Sequence, residues 1–260
     1  MILTLDIGNT NITIGVYKEK ELQFVSRMAS DRSRTEDQYA VELRDILDIY
    51  GISISDVEGA IIGSVVPVLT VAIKRAVKRL IKVSPLIVGP GVKTGLNILI
   101  NNPATLGADF VAGCVAAIEL YTCPCIIFDL GTATTIAVLD EHKSMLGGAI
   151  MPGVRISLDA LTTRSALLSS IDLEAPQKVI GSNTADCMRS GSVYGTACMM
   201  DGMIERIEEE LHMPCTAVAT GGLARDIVPH CRRDVIFCDN LLLEGLRLLY
   251  EKNTALKKDA

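Results

Sequence analysis

The chain repeats itself. DIGNTNITIGV, beginning at Asp6, returns in pattern as DLGTATTIAVL, beginning at Asp129, an offset of 123 residues. Each copy has an apolar run ending in Asp, a Gly-centred turn of hydroxyl and amide side chains, and a second run with alternating apolar positions. That is the pattern of a strand, a tight turn and a returning strand. A hairpin used twice implies two related halves, and two such turns facing one another would line a cleft from both sides. The halves are expected over residues 1–115 and 116–260. The boundary is drawn only loosely within 102–120, because no Pro/Ser-rich linker marks it and the segment 107–120 reads as a helix that crosses it.

The rest of the first half alternates strands with helices. A third strand is expected near residues 22–26. Residues 35–50 carry apolar side chains at helical spacing (Tyr39, Val41, Leu43, Ile46, Leu47, Tyr50) behind a Thr-Glu-Asp start and before Gly51, which predicts a capped helix. Residues 57–66 read as a buried strand, followed by Pro67 and a helix to about residue 82. This alternation points to an α/β fold.

Composition narrows the classes further. With 49% of 260 residues hydrophobic, the chain is long enough to bury one large core or two moderate ones. The net charge of −6 is spread along the chain, and the basic stretch 74–82 has the spacing of a solvated helix face, so no nucleic-acid partner is expected. Glu119 interrupts the longest apolar run short of the roughly 18 residues a bilayer demands. The expectation is a soluble, untargeted, cytoplasmic protein without a membrane partner. Eight cysteines sit in apolar segments such as 111–117 and 123–128, where free thiols pack as small hydrophobes in a reducing compartment. Cys123 and Cys125 have no second cysteine pair or nearby histidine to complete a zinc tetrad.

The turns carry the chemistry. A tight Gly turn exposes successive backbone N–H groups, and neighbouring Thr and Asn side chains add donors able to hold phosphate oxygens. Gly8, Asn9, Thr10 and Asn11 supply this in the first copy; Gly131, Thr132, Thr134 and Thr135 supply it in the second. A single such turn is an ordinary hairpin; two in register, each led by Asp, point to phosphate binding. Asp6 and Asp129 are candidates for metal chemistry through water, or for Asx-type caps on the turns. Thr220-Gly221-Gly222-Leu223-Ala224 reads either as a strand-to-helix turn or as a place where the backbone approaches an adenosine.

Two phosphate hairpins and a late Gly-Gly occur in the order used by the superfamily that includes acetate kinase and actin. Within it, the chain resembles type III pantothenate kinases. DIGNTNI at the start, GSVVP at Gly63, NPATLGAD from Asn102, DLGTATT at Asp129, GGAIMPG at Gly147, and IGSNT with SGSVYG from Ile180 cover most of the chain in the family's order. The resemblance implies duplicated ribonuclease H-like or actin-like halves with a nucleotide cleft between them, and transfer of the ATP γ-phosphoryl group to the primary hydroxyl of pantothenate. It assigns Asp6, Ile7, Gly8, Asn9, Thr10, Asn11, Ile12 and Thr13 to the ATP phosphates, with Mg²⁺ at Asp6. Gly131, Thr132, Gly221 and Gly222 are assigned to ATP, and Asp129 to a monovalent cation, K⁺ or NH₄⁺. It makes Asp109 the general base; read from the residues alone, Asp109 equally caps the helix beginning there. Gly107, Ala108, Phe110, Ile100 and Thr184 fall to the substrate, Thr184 across a homodimer interface.

The chain departs from the family at two of these positions. Where the family usually reads Tyr-Asp-Asn-Pro and Gly-Ala-Asp-Arg, this sequence has Ile100-Asn101-Asn102-Pro103 and Gly107-Ala108-Asp109-Phe110. A phenol and a guanidinium have become apolar, although a guanidinium is the natural bidentate partner of a carboxylate substrate. Arg155 and Arg164 are candidate replacements, or plain surface residues. The alternatives to pantothenate phosphorylation are a nucleotide-binding regulatory or accessory protein with an impaired acceptor site, and a kinase for another small molecule.

Overall fold

A computed structural model describes residues 1–165 and 167–255. The chain forms two compact units, one from Met1–Gly95, Asn102–Ala116 and the chain from Leu241, the other from Leu96–Asn101 and Ala117–Asn240. The terminal helix therefore belongs with the N-terminal sheet rather than with the half that precedes it in sequence.

The first unit is built on β1 (Ile2–Ile7), β2 (Asn11–Lys18), β3 (Glu21–Ala29), α1 (Glu36–Ile49), β4 (Gly59–Ser64), α2 (Pro67–Ile81) and β5 (Leu86–Ile87). Its sheet runs β3-β2-β1-β4-β5, antiparallel across β3-β2-β1 and parallel across β1-β4-β5. Thr35 starts α1 with the capping box that its Thr-Glu-Asp text suggests, exchanging hydrogen bonds with Gln38. The third strand is longer than its apolar core of 22–26, and β4 is shorter than 57–66, because pairing with neighbouring strands sets the ends.

β6 (Asn97–Ile98) and α3 (Ala108–Leu120) lead into the second unit's β7 (Cys125–Leu130), β8 (Ala133–Leu139), β9 (Ser144–Pro152), α4 (Val154–Arg164) and α5 (Thr184–Leu211). β10 (Thr216–Thr220), α6 (Ala224–Ile227), β11 (Val235–Phe237) and α7 (Leu241–Thr254) complete the fold. The second sheet runs β11-β10-β7-β8-β9-β6. Its β9-β8-β7-β10-β11 portion has the order and the strand directions of β3-β2-β1-β4-β5. The repeat read in eleven residues is thus a repeat of a whole five-stranded topology.

Two cores cover the faces of the first sheet. Leu3, Leu5, Ile7, Ala60 and Ile62 pack with Tyr39, Leu43 and Leu47 of α1 and with Leu69, Ile73 and Val77 of α2. Ile61, pointing the other way, packs with Val111, Ala112 and Val115 of α3 and Leu243, Leu246 and Leu249 of α7. Alternation along the strands demands this division, and a central sheet apolar on both faces demands helices on both. Arg247 of α7, 4% exposed, is neutralised by Glu244 and Glu251 and lies over the Tyr17 ring. In the second unit, Ile126, Phe128 and Leu130 pack with Val154 and Leu158 of α4, with Met188, Met200 and Ile204 of α5, and with Ala224 and Ile227 at α6. The basic stretch 74–82 lies on α2, where Arg75 and Arg79 pair with Glu36 of α1. No helix among the described residues is long and apolar enough to cross a membrane.

Candidate active site

In the first unit, the β1–β2 turn closes with the Gly8 N–H donating to the Asn11 carbonyl at 3.0 Å. Asp6, near the carboxyl end of β1, stands opposite Thr13 of β2 and Gly63 of β4. Leu5 and Ile7 enter the core under α1 and α2, so Asp6 between them projects to the face covered by α3 and α7. Gly63 faces the same way, and a Cβ there would meet Leu246 of α7 and Ala108 of α3. The turn after β4 joins this sheet end, the Val65 N–H donating to the Ile7 carbonyl at 3.1 Å. Gly107, Ala108, Asp109 and Phe110 therefore start α3 on the same face and at the same sheet end as Asp6. The structure brings these two expected groups together inside one unit.

Asp109 is partly buried in the first turn of α3, its Oδ1 accepting the Phe110 N–H at 2.8 Å. Burial raises its pKa, with the backbone hydrogen bond to Phe110 acting in the opposite direction. Asp109 lies inside the helix rather than at its N-cap position, and one oxygen on the N–H of the next residue fixes the carboxylate's orientation. Gly107 leaves room for it; a Cβ there would collide with Asp109 Oδ1.

The second unit repeats the arrangement. Asp129 stands opposite Thr135 of β8 and Thr220 of β10, and the Gly131 N–H donates to the Ala133 carbonyl at 3.1 Å. Gly221 follows β10 directly, with φ +94, and a Cβ on it would lie 2.5 Å from Asp129 Oδ1 and 2.7 Å from the Leu130 backbone. The Gly-Gly element therefore touches the second aspartate, as Val65 touches the end of β1, and Gly222 is exposed beside it. Ile100, partly buried just beyond β6, and Thr184, exposed at the start of α5, also lie in this unit but on separate elements. Asn183 caps α5 by accepting the Asp186 N–H. Arg155 and Arg164 are exposed on α4.

Sequence reading gave no role to the residue after the third strand of each unit, although Gly153 closes the GGAIMPG motif. Ser30 reaches back to the first turn, and Gly153 packs on the second, where a Cβ would strike the carbonyls of Gly131 and Thr132. A signal was present: Ser30 and Gly153 are themselves 123 residues apart, the offset of the repeat.

The chain matches known proteins in both sequence and fold. Residues 2–206 match the family model described as type III pantothenate kinase. A curated type III pantothenate kinase from Bacillus cytotoxicus is 42% identical over 259 residues, covering 100% of this chain and 99% of that protein. Among solved structures, a conserved Baf family protein from Campylobacter jejuni matches with a TM-score of 0.62 at 19% identity, over 97% of this chain and 99% of that one. An activator of 2-hydroxyisocaproyl-CoA dehydratase from Clostridium difficile, solved with bound ADPNP, matches with a TM-score of 0.55 at 13% identity, over 99% and 96%. At such identities the structural likenesses speak for the fold, a duplicated actin-like α/β architecture. The sequence matches go further: the chain belongs to the type III pantothenate kinase family.

Proposed function

We propose that this protein transfers the γ-phosphoryl group of ATP to the primary hydroxyl of pantothenate, the opening step of coenzyme A biosynthesis, with Asp109 as general base. The observation that carries the mechanism is the placement of the Asp109 carboxylate, fixed by the Phe110 N–H on the sheet face and end that also bear Asp6 and the Gly8 turn. The turn from Asp6 to Thr13 holds the phosphates through backbone N–H groups and the Asn9, Thr10 and Asn11 side chains. Thr132, Gly131, Gly221 and Gly222 contact the rest of the nucleotide. Phosphoryl transfer passes through a loose transition state, so the hydroxyl proton leaves late and an oriented carboxylate suffices to receive it.

The donor set fits hard cations used sparingly. Among the described residues, no three of His, Cys, Asp and Glu converge on a metal-sized site. That suits Mg²⁺ held largely by water and phosphate oxygens with Asp6, its usual manner beside nucleotides. Asp129, a hard oxygen donor at the second turn, suits K⁺ or NH₄⁺. When bound, these ions neutralise phosphate charge. The functional form in this reading is a cytoplasmic homodimer in which Thr184 reaches the partner's substrate.

A second reading is favoured by Ile100 and Phe110, which leave the acceptor site short of a phenol and a guanidinium: a nucleotide-binding regulatory homologue. A coupled assay of ADP release with and without pantothenate separates the two. Pantothenate-dependent release is expected; ADP release that ignores pantothenate, or none at all beside intact ATP binding, overturns the kinase reading.

A further inference from the structure

We propose that Ser30 is a positioning residue for the ATP phosphates, holding the Gly8–Asn11 turn in its binding conformation; this rests on reading that turn as the phosphate site. Ser30 follows β3 directly and grips the turn twice. Its hydroxyl donates to the Gly8 carbonyl at 2.6 Å, and its N–H donates to the Thr10 carbonyl at 3.0 Å. A trans peptide is planar, with C=O and N–H on opposite sides. Holding the Gly8 carbonyl toward Ser30 therefore turns the Asn9 N–H away from it, and holding the Thr10 carbonyl does the same for Asn11. These are the donors that a phosphate needs.

The grip is anchored in the core. Tyr39 of α1 is fully buried, and its hydroxyl both donates to the Asp31 carbonyl at 2.8 Å and accepts the Asp31 N–H at 3.0 Å. Asp31 is in turn tied locally, accepting the Ser33 N–H and hydroxyl. Arg32 donates to Asn9 Oδ1 at 3.3 Å, a third link from the same strap to the turn. A rigid path thus runs from a core phenol through the Asp31 peptide and Ser30 to the turn. The second unit supports its turn from the equivalent residue without a hydroxyl and with pairing shifted by one residue, Gly153 lying against the Gly131 and Thr132 carbonyls. Both repeats support their turns from the residue after the third strand, and only the first does so with a side chain that can be deleted.

The test uses the full-length protein. Ser30→Ala is expected to weaken ADP binding in calorimetry, and to raise the KM for ATP, about three- to tenfold, the range of one neutral hydrogen bond. The KM for pantothenate stays within about twofold, and Ser30→Thr, which keeps the hydroxyl, restores ADP binding. A merely structural serine would lower the melting temperature and leave ADP affinity unchanged in the folded fraction, which would overturn the proposal. Tyr39→Phe keeps the core ring while deleting the anchor; it should weaken ADP binding in the same direction, and if Ser30→Ala does not fold, Tyr39→Phe with wild-type ADP affinity overturns the proposal instead. Gly8→Ala, whose Cβ would lie 3.1 Å from the Asn11 carbonyl, separates the two ideas. If Gly8→Ala weakens ADP binding and Ser30→Ala does not, the positioning role alone fails. If neither does, the phosphate-turn reading fails with it.

Discussion

As the proposed general base, Asp109 combines two demands that pull against each other. A base must be ionised, and burial makes ionisation harder, raising its pKa above the ordinary 3.8. Turnover should therefore fall as pH drops through the raised value, with an acid limb in kcat lying above that of an ordinary aspartate. The sign for stability is the reverse: a raised folded-state pKa means that the folded form binds the proton more tightly, so this group's contribution is fully present at low pH and is lost as pH rises. Asp109→Asn should lower turnover by at least about a hundredfold, within the usual range for a lost general base, while ADP binding holds and the melting temperature at pH 7 stays level or rises, because a buried charge is removed. Near wild-type turnover would remove the base assignment. The neighbouring Phe110 makes the complementary prediction. A guanidinium–carboxylate pair contributes on the order of 1.5–3 kcal/mol, so its absence corresponds to roughly ten- to hundredfold weaker pantothenate binding than in family members that have it. Phe110→Arg should strengthen binding in a titration made with a nonhydrolysable ATP analogue. If the wild type binds tightly and Arg155→Ala or Arg164→Ala weakens it, another arginine has taken the role.

At the scale of elements, the turn between β10 and α6 holds a backbone conformation that glycine accepts and L side chains rarely adopt. Gly221 has a left-handed φ, and a Cβ there would press on Asp129 and Leu130. Gly221→Ala should cost about 1–2 kcal/mol from the backbone alone. It should also displace the Asp129 carboxylate, so nucleotide affinity falls more than stability does; a mutant that melts early but binds ADP normally would show that the turn serves only the fold. The helix caps are legible in sequence and behave locally. Thr35→Ala deletes one side of the α1 capping box and should cost about 1 kcal/mol in chemical denaturation, without altering ADP affinity.

For the whole molecule, the terminal helix decides whether the first unit is complete. α7 supplies Leu243, Leu246 and Leu249 to the core on the α3 face and carries the neutralised Arg247. A chain ending at residue 240 should lose the folded first unit, read as loss of cooperative melting and of ADP binding. Retention of both would contradict this packing. Activity should require K⁺ or NH₄⁺ and fall when Na⁺ replaces them; equal rates in all three would remove the cation from Asp129. Sedimentation should give one species at twice the 27.9 kDa of the chain, and a monomer with full activity would discard the role of Thr184 across an interface.

What the sequence determined by itself is whatever depends on neighbours along the chain. The Asp-Gly hairpins, the Thr35 cap and the Pro67 helix start follow from turn chemistry and periodicity, and the repeated motif announced a duplicated fold. The motifs also carried the family, because each functional turn is a short contiguous string. The tertiary structure alone decided contacts made across strands. The exact ends of β3 and β4 depend on partners, α7 returns across the chain to the first sheet, and Gly221 meets Asp129 from a strand some ninety residues away. Ser30 shows why: as one of two serines in a polar loop it has no local pattern, and it becomes part of the site only because antiparallel pairing of β2 with β3 delivers it to the Gly8 and Thr10 carbonyls.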